Sequence, residues 1–317
     1  MPQAIIKKIL MKTKLMGLTL LFMSVATYAQ QDAQFTQYMY NTIIVNPAYA
    51  GSRQALSVFA LHRAQWVGLE GAPVTNSFSI NTPINDSNIG LGLSVLNDKI
   101  GPSSENNIAL DFSYTISASQ KYKMSFGIKA SANLLNVDFN KLDYQGGQVF
   151  ENNIDNKFSP NIGAGFYLHS DNSYIGISAP NLIETVHFDK GASSNSSSHI
   201  ATEKINYYLI AGHVFDLNPN LKLKPALQTK YVQGAPLQVD VSANFMINEK
   251  FVIGGAYRWS AAMSALVGFQ ASDSWFIGYS YDFDTTALAN YNSGSHEIFL
   301  RYELFKTYDK IISPRFF

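Results

Sequence analysis

The chain has 317 residues, of which 15% are charged and 13% aromatic, with Lys+Arg and Asp+Glu balanced at 23 each and no cysteine. Soluble domains carry about a quarter charged residues, so this composition fits a protein that turns an uncharged band toward lipid. The charge balance excludes the one-signed field of a nucleic-acid binder, and the missing cysteine excludes disulfides and thiolate metal centres.

In chain order, Lys7, Lys8, Lys12 and Lys14 precede an apolar run over 15–25 that closes on Ala26-Thr27-Tyr28-Ala29. That is the layout of a secretory signal peptide over 1–29, with cleavage expected after Ala29 and Met11 as a second candidate initiator. No later run reaches the ~18 uninterrupted apolar residues of a membrane helix. Residues 30–54 are Gln-rich and aromatic, and Pro47 and Gly51 interrupt regular structure there; they are predicted to form a pre-barrel segment. From residue 55 to 317 the pattern alternates with period two, as a strand with one apolar and one polar face requires.

The stretch Leu221–Ile247 is the plainest case. Leu221, Leu223, Leu227 and Tyr231 oppose Lys222, Lys224, Gln228 and Lys230, and after a turn Val239, Val241 and Phe245 oppose Asp240, Ser242 and Asn244. Fourteen strands are expected near 55–66, 75–83, 88–97, 106–117, 122–138, 159–169, 173–179, 204–215, 221–232, 236–247, 251–259, 262–270, 275–283 and 294–304. Links after even-numbered strands are short, and the long links all follow odd-numbered ones, including 98–105, 140–158 and 181–203. Bacterial outer-membrane barrels alternate short periplasmic turns with longer external loops. The fold class predicted is therefore all-β: an antiparallel transmembrane β-barrel of about 14 strands, integral to the outer membrane, with both termini periplasmic. Trp66, Tyr231, Trp259 and Tyr281 are expected in the outer aromatic girdle, and Tyr122, Tyr174, Phe215, Phe251, Trp275 and Tyr302 in the inner one. Gly90, Gly92, Gly127, Gly163, Gly165, Gly212, Gly254, Gly255 and Gly268 mostly fall on or near the inward row, where tight curvature or close backbone packing tolerates them.

Inward charges (Asp111, Lys129, Lys222, Lys224, Lys230, Asp240, Asp282, Glu297, Arg301 and Glu303) either pair across the lumen or form a selectivity ring. None of the six histidines, His62, His169, His187, His199, His213 and His296, sits at a metal-ligand spacing. No Gly-x-Ser-x-Gly elbow appears, so neither an enzyme nor a cofactor is expected. A barrel this wide keeps an aqueous bore unless something fills it, and residues 30–54 and the loops at 140–158 and 181–203 are the available fillers.

The runs Gln34-Phe35-Thr36-Gln37-Tyr38-Met39-Tyr40, Asn46-Pro47-Ala48-Tyr49-Ala50-Gly51-Ser52 and His62-Arg63-Ala64-Gln65-Trp66 resemble the opening of the PorP/SprF family of type IX secretion system membrane proteins of the Bacteroidetes. Pro73-Val74-Thr75, Gly90-Leu91-Gly92-Leu93 and the closing Ser313-Pro314-Arg315-Phe316-Phe317 extend the resemblance over the mature chain. It implies an outer-membrane barrel that serves protein secretion and surface display or gliding motility. Its implied partners are a secreted cargo protein or that cargo's C-terminal domain, periplasmic secretion subunits and membrane lipid. By motif, Asn46, Pro47, Ala48, Tyr49 and Gly51 are expected to fix the pre-barrel segment, and His62, Arg63 and Trp66 the outer part of the first strand. A passive porin and an adhesive surface protein are the competing readings.

Overall fold

The computed structural model describes residues 33–84, 87–141, 153–186 and 202–304. The stretch 1–29 expected to be a signal peptide, His187, His199 and the closing Ser313–Phe317 lie outside them. Fourteen strands build one sheet: β1 Leu56–Ala64, β2 Val74–Pro83, β3 Ile89–Ile100, β4 Ser103–Ser117, β5 Lys123–Val137, β6 Ile154–His169 and β7 Ser173–Ala179. The remaining seven begin with β8, which runs in two pieces, Asn206–His213 and Phe215–Asn218. They continue with β9 Leu221–Val232, β10 Gln238–Ile247, β11 Phe251–Arg258, β12 Ala262–Gln270, β13 Trp275–Asp284 and β14 Ser295–Leu304. Every strand is antiparallel to its sequence neighbours, and both pieces of β8 pair with β9. The sheet closes where β1 meets β14, in register from Leu56↔Leu304 to Ala64↔His296. Closure leaves no strand edge in hydrocarbon, where an unpaired backbone group costs several kcal/mol, of order ~2–7.

The two faces invert the pattern of a soluble protein. Leu110, Ile128, Ile177, Ile253, Val267 and Ile298 point outward and are exposed, while Ser113, Ser125, Asn244, Ser280 and Glu297 on the alternate positions are buried. Ring pairs sit on the outer surface near the short-turn end, Trp275 against Tyr302 at 4.7 Å and Phe251 against Phe269 at 5.0 Å.

Three expectations change. The stretch 98–105 is no long loop: Asp98 pairs with Glu105 and Lys99 with Ser104, leaving a tight turn at Gly101-Pro102. Polar inward residues obscured the strand there, since Asp98 accepts from Thr75 Oγ1 at 2.6 Å and Glu105 from Asn133. For the same reason β6 starts at Ile154, five residues before the expected position. Tyr174 is not a girdle residue, because it faces inward, is buried, and packs on Tyr167 with ring centroids 5.9 Å apart.

Candidate functional site in the barrel lumen

Residues 33–55 fill the lumen. Asn and Pro break the segment into a 3-10 turn Tyr38–Tyr40, one helical turn Thr42–Val45 and a 3-10 turn Pro47–Tyr49. Asn46 caps the last of these, its Oδ1 accepting from the Ala48 N–H at 3.0 Å, and Pro47 at the first position has no N–H to leave unpaired. Nearly every residue from Phe35 to Ala50 is buried.

The plug crosses the barrel from end to end. Gln34 donates to Gln238 Oε1 at 2.8 Å and the Phe35 carbonyl accepts from Arg258 at 3.2 Å, both at the long-loop end. Gly51, in a left-handed conformation at φ 70°, lies against Pro83 and Gly90 at the short-turn end and leads into β1. The amino end of the described chain therefore stands at the mouth opposite the one from which β1 rises.

Two kinds of contact hold the plug. The first is a belt of small residues in register across six neighbouring strands, Pro83↔Gly90↔Ser113↔Gly127↔Gly165↔Ser178. The segment Val45–Gly51 runs along this belt. Ser178 Oγ donates to the Val45 carbonyl and Ser113 Oγ to the Ala50 carbonyl, each at 2.7 Å. A Cβ on Gly127 would run into the Ala48 backbone, one on Gly165 into the Asn46 amide, and one on Gly90 into the Ala50 carbonyl. Glycine is required here by the approach of a second backbone, independent of any turn. Asn46 Nδ2 completes the seat by donating to the Phe166 carbonyl at 3.0 Å.

The second is a set of buried charges. Arg63 on β1 bridges Asp282 on β13 at 2.7 Å and Glu297 on β14 at 3.1 Å. The two oxygens of Glu297 accept from the backbone N–H groups of Thr36 and Gln37 at 3.0 and 2.9 Å, and Thr36 Oγ1 donates to Asp282 at 2.7 Å. Arg258 pairs with Asp240 at 2.5 Å. Lys129, itself 3.3 Å from Asp111, donates to the carbonyls of Ile43 and Ile44 at 3.3 and 3.1 Å. Arg53 in the plug pairs with Glu303. Burial works against its charge, yet the Glu303 carboxylate and Tyr49 hold the guanidinium above its ordinary range.

Between these fastenings lies an aromatic filling. Tyr40 packs on Phe299 and Phe276 at centroid distances of 4.8 and 5.5 Å, with Phe59 behind Phe299. The Tyr40 ring faces Lys224 at 5.6 Å and Arg301 at 5.9 Å.

The structure divides the sequence-predicted residues into three groups. Asn46, Pro47, Ala48, Tyr49 and Gly51 come together on the small-residue belt. Arg63 is in the charge cluster. His62 faces outward beside Asn76, and Trp66 sits in the rim loop after β1, its N–H donating to Ser295 Oγ at 3.1 Å. The inward charges meet one another, the plug or an aromatic ring rather than a bore, except Lys222, which pairs with Glu249 near the short-turn end. Sequence reading missed Arg53 and Arg258. Arg53 precedes the alternation, and Arg258 sits at the end of a strand, where period two no longer assigns a face. No group of three or more metal-ligating side chains occurs among the described residues.

A closed 14-stranded barrel with an apolar outer band and a lumen occupied by its own amino-terminal segment defines the class: a plugged integral outer-membrane β-barrel. The model of the type IX secretion system membrane protein PorP/SprF family matches residues 27–302, and the chain belongs to that family. Comparison with curated proteins gives no match. Among solved structures the chain is similar to the CymD monoaromatic hydrocarbon channel, at 13% identity over 88% of this chain and 95% of that one, with TM-score 0.49. It is also similar to the Ralstonia pickettii toluene transporter TbuX, at 10% identity over 85% and 93%, TM-score 0.48. The Acinetobacter baumannii outer membrane protein Omp33 is 7% identical over 80% and 100%, TM-score 0.47.

Proposed function

We propose that this barrel is a sealed docking platform of the type IX secretion machinery. It holds a secreted cargo protein, through that cargo's C-terminal domain, at the long-loop mouth, which faces the cell exterior, and it couples to periplasmic secretion subunits at the short-turn mouth. It is neither an enzyme nor a solute channel. Family membership supports the secretion role. The observation that carries the platform reading is the fastening of the plug at both ends of the lumen, by hydrogen bonds to buried charged residues at the long-loop end and by backbone seating with the Arg53–Glu303 pair at the short-turn end. A gated channel would have to break the buried Arg53–Glu303 pair, at about 3–5 kcal/mol if one partner is left alone, together with several hydrogen bonds from the plug to buried charged groups, each worth about 1.5–3 kcal/mol.

Deleting the gene should abolish surface display of specific secreted proteins, and the tagged barrel should recover a cargo C-terminal domain from mild detergent. Unchanged display in the deletion strain sinks the cargo role. In planar bilayers the purified chain should be electrically silent, and steady ohmic conductance of the unmodified protein would return the passive porin as the better reading.

A further inference from the structure

One set of polar side chains takes no part in holding the plug and faces lipid. His62, Asn76, Asn97 and Asn106 occupy outward positions on β1, β2, β3 and β4 and stand opposite one another in register. They form a continuous hydrogen-bonded ladder, His62 Nδ1 to Asn76 Oδ1 at 2.8 Å, Asn76 Nδ2 to Asn97 Oδ1 at 3.4 Å and Asn97 Nδ2 to Asn106 Oδ1 at 2.8 Å. His62 and Asn76 are exposed, Asn97 and Asn106 half-buried.

The ladder marks the top of the apolar band on these strands. One step nearer the short-turn end, the same outward rows carry Ala60, Phe78, Val95 and Ile108. One step toward the long-loop end, the outward row of β3 carries the exposed Lys99. Beneath the ladder the short side chain of Ala60, flanked by Phe78 and Leu300, leaves an apolar groove of about 600 Å³ that extends to Ile277 and Val95. Asn76 and Asn97 each use one N–H in the ladder and Asn106 only accepts, so the second N–H of Asn76 and of Asn97, and both of Asn106, remain as donors at the edge of the hydrocarbon. Amide donors with a lysine above them suit an anion, and the groove below suits a hydrocarbon chain. A chain of this fold meets both in one molecule only in the membrane that surrounds it.

We propose that the outward faces of β1 to β4 form a binding site for a phosphorylated outer-leaflet glycolipid of the lipid A type. Its phosphate accepts from the amide ladder and Lys99, and an acyl chain fills the groove at Ala60. The outer leaflet is assigned because the ladder lies toward the long-loop end of the barrel, the external end in bacterial outer-membrane proteins.

The test uses the full chain in a non-ionic detergent, titrated with hexa-acylated bisphosphoryl lipid A and followed by native mass spectrometry. Binding should weaken by about tenfold in the double variant Asn76→Leu with Asn97→Leu, and also in Lys99→Gln; Ala60→Phe should weaken it by filling the groove. Leucine at an outward position adds apolar surface against lipid, so heat-modifiable gel mobility should stay that of the folded barrel. Should the leucine pair misfold all the same, Lys99→Gln, beyond the ladder on the loop side, carries the readout alone. Unchanged affinity in Lys99→Gln, or binding of dephosphorylated lipid A or phosphatidylglycerol as tight as that of the bisphosphoryl form, overturns the proposal.

Discussion

The two halves of the lumen wall grip the same plug by opposite means. From β2 to β7 the wall offers only glycine, serine and proline at the level of the belt, and the plug backbone lies directly on the sheet at Gly90, Gly127 and Gly165. From β10 round to β1 the wall reaches inward with Asp240, Arg258, Asp282, Glu297 and Arg63, and the plug answers with backbone N–H groups, a carbonyl and a threonine hydroxyl. Contact by shape fixes position to within a methyl group and adds no charge. Contact by charge tolerates small displacements but leaves an ion stranded if one partner goes.

The largest effect is therefore expected in the charged half. Arg63→Ala leaves Asp282 and Glu297 buried without their cation and should cost about 3–5 kcal/mol, read as a lower denaturant midpoint for loss of the heat-modifiable band. Neutralising the whole cluster, with Arg63→Met, Asp282→Asn and Glu297→Gln together, should recover much of that loss. If the combined variant is no better than the single one, repulsion between stranded carboxylates is not the cause.

On the belt, Gly127→Val forces a side chain into the Ala48 backbone, and overpacking of this kind costs about 1–3 kcal/mol. The plug should become cleavable by added protease while the strands persist. Gly255→Ala supplies the control, because that glycine faces outward with only the Ser264 carbonyl near, at 3.5 Å. A smaller change is Ser113→Ala, which removes one hydrogen bond to the Ala50 carbonyl and should cost about 1 kcal/mol. The smallest is Glu249→Gln, which breaks the solvent-facing pair with Lys222 and should shift stability by less than about 0.5 kcal/mol. Were the exposed pair to matter as much as Arg63, burial would not be the variable that separates them.

Much of the barrel was legible because period two is local. Leu221–Ile247 displays both faces without reference to any other strand, and the sorting of short and long links follows from the same reading. The plug contacts were not legible, because they join residues far apart in sequence: Arg63 meets Glu297 across the closing seam, and Thr36 meets Asp282. The inward glycines could be seen as a class, but their alignment into one belt depends on the register of five successive strand pairs. Tyr174 was misplaced because an aromatic near a strand end reads as a girdle residue unless its inward partner, Tyr167, is known. The course of the plug from one mouth to the other needs both of its ends in space, and no alternation reports that.

The first strand and the last are neighbours, and the acidic groups that secure the plug, Glu297 and Glu303, reside on the last. Both lie near the far end of the sequence, so the pairing of Arg53 with Glu303 and the grip of Glu297 on Thr36 and Gln37 form only once the last strand is in place. Assembly and sealing are then a single event: the zipper that completes the cylinder also locks its contents, and a polypeptide truncated before residue 295 would lack both the seam and the latch.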